Sequence, residues 1–277
     1  MLEKMQYRNH LGERIIFGQG GFFVNENDLR DFVWNYTSKN NRLSSFQKGV
    51  VKKTLPVMIA CTSEEDGLAK RNALFEICEK DILANSYGKI IIGDYYMKCF
   101  VTGSQKSEYL YNNQMMNVKL TIVTDFPMWV KESTTAFRKN MEITSENDSE
   151  FLDYSFDYSF DYSYEFAIQN LINDDFVATN FRLIIYGSCS NPRIHIGGHE
   201  YLIKADVSAG EYLVIDSSEK TILLVNSNGE KVNCFNKRSR DSYVFEKIPV
   251  GANAVTWEGE FGFDITLLEE RSEPKWT

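Results

Sequence analysis

The sequence predicts a mainly β protein with two domains and a single helix. Apolar and polar residues alternate with a period of two in several segments, as in antiparallel strands that bury one face. Short apolar runs separated by glycine turns fill the second half of the chain. Clear helical spacing occurs in one segment, near 64–84. Together these patterns predict antiparallel β structure.

Length and composition bound the class of protein. A chain of 277 residues is longer than one compact domain usually is, so two cores are expected, although one large β domain also fits. Hydrophobic residues make up 43% of the chain, which is enough to stabilise a folded core. No apolar run is long enough to span a membrane, and the first six residues lack a signal-peptide core, so neither membrane insertion nor Sec export is expected.

The five cysteines include no Cys-x-x-Cys pair. An odd number without such spacing predicts free thiols in a protein made in a reducing cytosol, and no disulfide framework.

Charge is distributed unevenly along the chain. The net charge is −9, but residues 1–140 carry +4 and residues 141–277 carry −13. Residues 140–181 contain no Lys or Arg. This shift favours a boundary near 140 followed by an acidic, solvated connection. It also disfavours DNA binding by the second half, and no sequence-specific nucleic-acid partner is predicted.

The first domain is predicted to contain the helix and several antiparallel strands. Ser63 with Asp66 three residues later forms a capping box, and Leu74, Phe75, Cys78 and Ile82 recur at helical spacing. After the helix, two strands at 89–92 and 95–101 flank a Gly93-Asp94 turn, as in a β-hairpin. Alternation over 116–123 predicts a further strand with one buried face. The domain is expected to end at 125–129.

An acidic aromatic repeat follows this domain. Residues 153–164 repeat an Asp-Tyr-Ser-aromatic unit three times. Its composition is too aromatic for a flexible linker and too acidic for a core, so packing along a surface or between domains is expected. Asp153, Asp157 and Asp161 could offer oxygens to a cation such as Ca²⁺, but the spacing lacks the glycine turn of calcium loops.

The second domain is predicted to be a β-sandwich. Short strands recur about every ten residues and are punctuated by glycines. The predicted strands are 181–186, 193–196, 201–204, 211–216, 221–225, 243–248, 254–257 and 263–268.

No catalytic, cofactor or metal site is predicted. His195 and His199 are four residues apart, but a strand end and a turn separate them, so a shared metal-facing side is not implied. Glu269 and Glu270 are adjacent and would point to opposite faces of a strand. The Gly-Gln-Gly-Gly segment at 18–21 lacks the strand and helix context of a phosphate loop and is interpreted as a turn.

Asn191-Pro192-Arg193 and the later Trp257 form the candidate glycan site. Galectin-type sugar binders use an Asn-Pro-Arg strand and a stacking tryptophan, so Asn191, Arg193 and Trp257 could bind a sugar. The structural alternative is a strand entry stiffened by proline, with the tryptophan filling the core of the sandwich.

The chain as a whole resembles the distal tail proteins of long-tailed phages and prophages of Gram-positive bacteria. Each motif is weak alone, and the order and spacing of the motifs along the whole chain carry the resemblance. In the first half the motifs are Tyr7-Arg8-Asn9 with Gly12-Glu13, Glu79-Lys80-Asp81, the hairpin at 93–97 and the segment 125–129. In the second half they are Phe181-Arg182, Tyr186-Gly187, Asn191-Pro192, 210–216, 233–235, 249–253 and 270–276.

The resemblance implies a fold and a function. It implies an antiparallel β-sandwich-like ring-forming domain with one helix at 1–132, an acidic aromatic-repeat connection at 133–175 and a galectin-like β-sandwich at 176–277. Six copies would form a ring at the virion tail tip, after synthesis in the host cytoplasm. The ring would join the tail tube protein to a tail-tip protein or tail-associated lysin, and in some phages to receptor-binding proteins. Such a hub is not an enzyme.

Two segments of the first domain are candidate ring contacts. The 36–54 loop and the 104–115 segment are polar and poorly patterned for a core. Arg42, Lys48, Lys52, Tyr109 and Tyr111 are the residues proposed for these contacts. Phosphate binding by the basic stretch 42–53 and a plain solvated loop are the alternatives.

Two other classes of function stay open from the sequence. The sandwich predicted for the second half could be a carbohydrate-binding module that attaches a particle to the host cell wall. A glycan hydrolase is the third class, and it ranks lowest because the sequence offers no separated pair of acids.

Overall fold

The computed structural model describes residues 4–24, 26–110, 114–139 and 169–276, and the backbone alone at 107–110. Most of the acidic aromatic connection, with Asp153, Asp157 and Asp161, lies outside these ranges. Within them the protein is mainly β with large antiparallel sheets and one long helix, which confirms the predicted fold class.

The chain divides into two compact units. Unit 1 comprises Met1–Lys131 and Glu270–Thr277, and unit 2 comprises Glu132–Glu269. The last residues of the chain therefore belong to the same unit as the first. The sequence predicts different domain ranges: 1–132, 133–175 and 176–277. These ranges stay a prediction, and they assign the C-terminal residues to the second domain.

Unit 1 is built from antiparallel strands and one helix. Its elements are β1 (Met5–Arg8), β2 (Arg14–Phe17), β3 (Phe22–Val24), β4 (Asn35–Lys39), β5 (Arg42–Gln47), β6 (Val51–Ala60), α1 (Glu64–Leu83), β7 (Gly88–Ile92), β8 (Tyr95–Leu110), β9 (Met115–Thr124) and the start of β10 (Trp129–Phe137).

Neighbouring strands of unit 1 pair in the order β2-β1-β7-β8-β9-β6-β3. The long strand β8 joins the two parts of this order, pairing with β7 through its first residues and with β9 beyond Phe100. Helix α1 packs against β6 and β8. The apolar residues of these elements form one core, which includes Leu55, Val57, Ile90, Met97 and Ile122.

Helix α1 begins where the sequence predicts. The Ser63 hydroxyl accepts the backbone N–H of Asp66 (3.2 Å), while the Asp66 carboxylate accepts the N–H of Thr62 (2.9 Å). The N-terminal cap at Ser63 is therefore confirmed. In a standard capping box the Asp66 carboxylate would accept the N–H of Ser63, but here it accepts that of the preceding residue, Thr62. Only two of the four residues predicted for the apolar face of α1 are buried. Leu74 and Cys78 are buried, but Phe75 and Ile82, expected on the same face, are exposed.

A buried carboxylate joins α1 to the first strand. Asp81 is fully buried and accepts hydrogen bonds from the Tyr7 hydroxyl (2.5 Å) and the backbone N–H of His10 (2.8 Å). The His10 Nδ1 lies 2.6 Å from the same carboxylate. Burial, followed by the hydrogen bond to Asp81, raises the pKa of Tyr7 well above its usual range, so its proton stays available for this bond. These contacts satisfy the polar oxygens of a carboxyl group that would be costly to bury without partners.

Unit 2 is a two-layered β structure. Its strands are the rest of β10, β11 (Gln169–Asn173), β12 (Asn180–Tyr186), β13 (Cys189–Ser190), β14 (Arg193–Ile196), β15 (His199–Leu202), β16 (Asp206–Val207), β17 (Tyr212–Asp216), β18 (Thr221–Val225), β19 (Lys231–Asn233), β20 (Gly251–Trp257) and β21 (Phe263–Arg271).

One sheet of unit 2 has the order β19-β18-β17-β12-β21-β10, and the other has the order β11-β20-β14-β15. Their inward residues share a single core that includes Phe181, Ile215, Ile194, Val255 and Trp257. Two sheets over one core are the expected sandwich.

Most predicted strands of unit 2 are confirmed, and one is wrong. The strands at 193–196 and 221–225 have the predicted bounds. The segment 243–248 is not a strand, because its backbone forms turns and a single bridge between Ile248 and Thr179. Its apolar residues, including Val244 and Phe245, fill the core from a loop.

All five cysteines are free, which agrees with the absence of a predicted disulfide framework. Burial raises the pKa of Cys99 to about 12, so this thiol is inert as a nucleophile at neutral pH.

Candidate functional site

The most distinctive surface of unit 1 is a hairpin without a buried face. In β4 and β5 every residue is exposed. Tyr36 and Phe46, which pair directly across the strands, are 64% and 58% exposed. Large apolar side chains continue along the hairpin and its roots: Phe32, Val33, Trp34, Leu43 and Val50. A cluster of exposed aromatic residues of this kind typically marks an interaction surface. We call residues 35–47 the exposed hairpin.

Local sequence accounts for the turn of the exposed hairpin. Lys39 pairs with Arg42, which leaves a two-residue loop of Asn40 and Asn41. Both asparagines have positive φ, 52° and 57°, as a type I′ turn requires. The predicted loop at 36–54 is therefore wrong, since the segment forms this hairpin and the start of β6. The Asn-Asn pair between residues of high β propensity was the available signal.

Lys48 fixes the C-terminal root of the exposed hairpin. Its ammonium donates hydrogen bonds to the Ser272 hydroxyl (2.8 Å) and the Pro127 carbonyl (3.2 Å). It also lies 4.8 Å from the ring centroid of Trp34, at the other root, and 5.4 Å from that of Phe32. Burial, reinforced by the charge of Lys53, lowers the pKa of Lys48 to about 8. Lys48 is thus a structural contact within its own chain.

Arg30 provides a second contact beside the N-terminal root. Its guanidinium donates to the Pro274 carbonyl (2.7 Å), lies 3.7 Å from the Glu273 carboxylate and stacks 3.8 Å from the Trp276 ring centroid. The side chain of Lys53 donates to the carbonyls of Asp28 and Asp31, which stabilises the loop on which Arg30 lies. Sequence reasoning identified neither Arg30 nor the C-terminal residues as part of this site.

A second apolar surface of unit 1 lies beside α1. A groove of about 290 Å³ runs between the helix and strands β6, β8 and β9. Phe75 and Ile82 form its helical wall, and Ser104 and Lys106 from the predicted contact segment 104–115 line it from β8. Three of the four exposed large apolar residues of α1, Leu68, Phe75 and Ile82, are spaced by seven and so form one stripe along the helix, while the fourth, Leu83, is its last residue.

The predicted ring-contact residues have different surroundings. Arg42 is exposed at the turn of the exposed hairpin, and Lys52 is exposed on β6. Lys48 is partly buried in the contacts given above. In β8 the backbone of Tyr109 pairs with that of Met116 in β9. Tyr111 lies outside the described residues. Their role in ring contacts stays a prediction.

The predicted glycan residues differ in exposure, although β14 and β20, which carry Arg193 and Trp257, are paired neighbours. Asn191 is exposed in a turn with φ of 48°, and Arg193 is exposed on β14, where its Nε lies 3.3 Å from Glu200. Trp257 is buried, and its indole N–H donates to the Phe261 carbonyl (3.0 Å). Trp257 also packs edge-on against Phe137 and Phe263. Its ring therefore serves the core and has no free face on which a sugar could stack.

No group of three or more His, Cys, Asp or Glu within the described ranges is placed to hold a metal ion. No helix in the described part of the chain has the length and apolar character needed to cross a membrane.

Comparison with known proteins gives a result for structure but not for sequence. No family model matches the chain, and no curated protein matches it. Among solved structures, the chain is similar to SPP1 Dit, described as a paradigm of the hub adsorption apparatus in phages that infect Gram-positive bacteria. The TM-score is 0.57 at 10% identity, over 98% of this chain and 99% of that chain.

Two structures of the phage P2 baseplate in its activated conformation give the same result. The chain matches a component of the baseplate with Ca at a TM-score of 0.61 and 13% identity, and a component of the baseplate with Sr at 0.62 and 12%. Each match covers 99% of this chain and 100% of the other.

The chain has the Dit fold. Because the similarity spans almost all of both chains, it includes both units and not a single common sandwich. The predicted resemblance to distal tail proteins is thus confirmed at the level of fold.

Proposed function

We propose that the protein is the structural hub of a phage tail tip or baseplate, where six copies form a ring. The observation that carries this proposal is the full-length likeness to SPP1 Dit and to a baseplate component of phage P2. On this proposal the ring joins the tail tube to a tail-tip protein or tail-associated lysin, and its flanks are available to receptor-binding proteins. The protein acts through surfaces and is not an enzyme.

A closed ring needs two different patches on each subunit, because each copy contacts its two neighbours with different faces. Unit 1 offers two exposed apolar surfaces on different elements. One is the exposed hairpin with Tyr36, Leu43 and Phe46, and the other is the groove beside α1 with Phe75 and Ile82. We assign these two surfaces to the contacts between copies.

The physical reason is the apolar area that each surface leaves in water. A buried aromatic side chain removes about 150–250 Å² from solvent, so Tyr36 and Phe46 are large potential contributors. Arg42 and Lys39 at the turn would add contacts at the polar rim, which affect orientation more than affinity.

The test is the mass of the purified full-length protein in solution, together with negative-stain images. We expect a ring of six copies for the natural sequence. The double substitution Tyr36→Thr/Phe46→Thr keeps residues of high β propensity but removes both aromatic rings, and it should shift the protein toward single chains.

Tyr243→Thr is the matched control, since Tyr243 in unit 2 is 50% exposed and lies outside both assigned surfaces. The control should leave the ring intact. A natural protein that stays a single chain at high concentration, both alone and with tail components, would contradict the hub proposal.

A carbohydrate-binding module is the alternative function. The predicted stacking residue of this module, Trp257, is buried and so does not support sugar binding. Binding to cell-wall glycans that is lost in Arg193→Ala would support the carbohydrate-binding function instead.

A further inference from the structure

The C-terminal residues of the chain contact both roots of the exposed hairpin. We call residues 270–276 the C-terminal strap. The strap returns to unit 1 after the whole of unit 2 has been inserted between Lys131 and Glu270. Its contacts therefore join residues more than two hundred positions apart, such as Lys48 with Ser272 and Arg30 with Pro274.

No buried side chain fixes the orientation of the exposed hairpin. None of its residues is buried, so no side chain of β4 or β5 anchors it in the core. An isolated two-stranded hairpin is at best marginally stable in water. Its direction relative to unit 1 must therefore be set where it leaves the unit.

At the C-terminal root, Lys48 follows directly after β5 and binds three parts of unit 1 at once. Its ammonium contacts Trp34 from the opposite root, the Pro127 carbonyl before β10 and the Ser272 hydroxyl of the strap. Hydrogen bonds from a charged donor are stronger than neutral ones and constrain geometry well.

At the N-terminal root, Arg30 precedes the exposed segment 32–34. It donates to the Pro274 carbonyl and stacks on Trp276. The strap thus touches the chain on both sides of the exposed hairpin, through one cation on each side.

We propose that the C-terminal strap positions the exposed hairpin for contact with a neighbouring copy. The partner is a second copy of this chain, and Arg30, Lys48 and Ser272 are positioning residues that act through the hairpin. This inference rests on the proposed ring function for its consequence, but the positioning itself is a property of the single chain. Removal of the strap should free the hairpin and reduce ring formation.

The first test measures the hairpin in single chains. Trypsin cleaves after Lys39 and Arg42, so its rate at these sites reports how often the hairpin opens. In the Tyr36→Thr/Phe46→Thr background, truncation after Arg271 keeps β21 complete but removes Ser272, Pro274 and Trp276. We expect cleavage at both sites to accelerate by about tenfold, the effect of losing one or two charge-assisted hydrogen bonds.

Single substitutions refine the test. Ser272→Ala removes the strap's acceptor for Lys48, leaving only the Pro127 carbonyl, and should accelerate cleavage, whereas Ser272→Thr keeps the hydroxyl and should restore the slow rate. Ser227→Ala, an exposed serine of unit 2, is the matched control and should change nothing. The thermal midpoint should stay within a few degrees in these single-substitution variants, because neither Ser272 nor Ser227 is a buried side chain.

The second test measures the ring in the natural background. The same truncation should reduce the fraction of ring at a fixed concentration by about tenfold, and Ser272→Thr should retain the ring. Equal cleavage rates with and without the strap would overturn the inference.

An unchanged ring fraction after truncation would also overturn it, because the strap would then have no consequence for assembly. If the natural protein forms no ring while the strap still protects the hairpin, the proposed function fails and the positioning stands. The two ideas can thus be separated.

Discussion

Two of the hairpins in unit 1 have similar turns but differ in how much of their side-chain surface is buried. The hairpin of β7 and β8 turns at Gly93-Asp94, with Gly93 at a φ of 57°, and it buries Ile90, Ile92 and Met97 almost completely. The exposed hairpin turns at two asparagines of similar φ and buries nothing. Turn chemistry therefore determines that a hairpin forms, while the pattern of its side chains determines whether it stabilises the unit or remains available to a partner.

The largest expected difference between the hairpins is in stability. Ile90→Ala should destabilise unit 1 by about 3 kcal/mol, because it leaves a cavity in a fully buried site. Leu43→Ala in the exposed hairpin should change stability by less than about 0.5 kcal/mol. Urea denaturation followed by circular dichroism measures both. Similar losses would show that the exposed hairpin also contributes to the folded core.

Close packing at the buried hairpin gives the next prediction. A Cβ on Gly88, at the start of β7, would lie 2.2 Å from the Asp81 carboxylate and 2.3 Å from the Tyr7 hydroxyl. Gly88→Ala should therefore cost about 2 kcal/mol through overpacking. The matched control is Gly198→Ala in unit 2, where a Cβ meets nothing but the φ is positive, so the loss should be smaller and due to the backbone alone. A thermal midpoint that is unchanged in Gly88→Ala contradicts the prediction.

The turn of the exposed hairpin should have a local effect only. Asn41→Val forces a β-branched residue into positive φ and should weaken the hairpin by about 1–2 kcal/mol. Hydrogen exchange of the amides at 35–47 should accelerate, while exchange at 88–101 should stay the same. A matching acceleration in the buried hairpin would mean that the two hairpins unfold together.

The smallest expected effect is the pH dependence at the root of the exposed hairpin. The folded pKa of Lys48 is about 8, below its ordinary value of 10.5, so between these values the unfolded chain binds more protons. The contribution of Lys48 to stability therefore rises as pH increases from about 8 to about 10. Lys48→Met should flatten this rise in denaturation curves measured across that window, whereas Lys39→Met at the exposed turn should not. Parallel pH profiles for Lys48→Met and the natural protein would count against the assigned burial.

Much of the secondary structure follows from sequence alone. The capping serine and the apolar spacing locate α1, the Gly93-Asp94 turn locates β7 and the start of β8, and period-two alternation locates β9. These signals are local, because hydrogen bonding and side-chain direction in a strand or helix depend on near neighbours. The prediction was poorer at 36–54 and 243–248. In the first the sequence predicts a loop where the Asn40-Asn41 turn makes a hairpin, and in the second it predicts a strand where apolar residues of a loop fill the core.

The burial of particular aromatic residues depended on the tertiary structure. Trp257 and Phe75 are both large and apolar, yet one fills the core of unit 2 and the other lies exposed on α1. Sequence spacing cannot distinguish these cases, since burial depends on which other element covers a face.

The sequence by itself determined that this chain is mainly β, where its helix lies and that its two halves differ in charge. Only the tertiary structure decided that the last residues return to unit 1 and that Lys48 and Arg30 meet them there. The physical reason is separation along the chain. Strand alternation and capping are encoded within a few residues, whereas the contacts of Lys48 with Ser272 and of Arg30 with Pro274 join positions that are 224 and 244 residues apart in the chain.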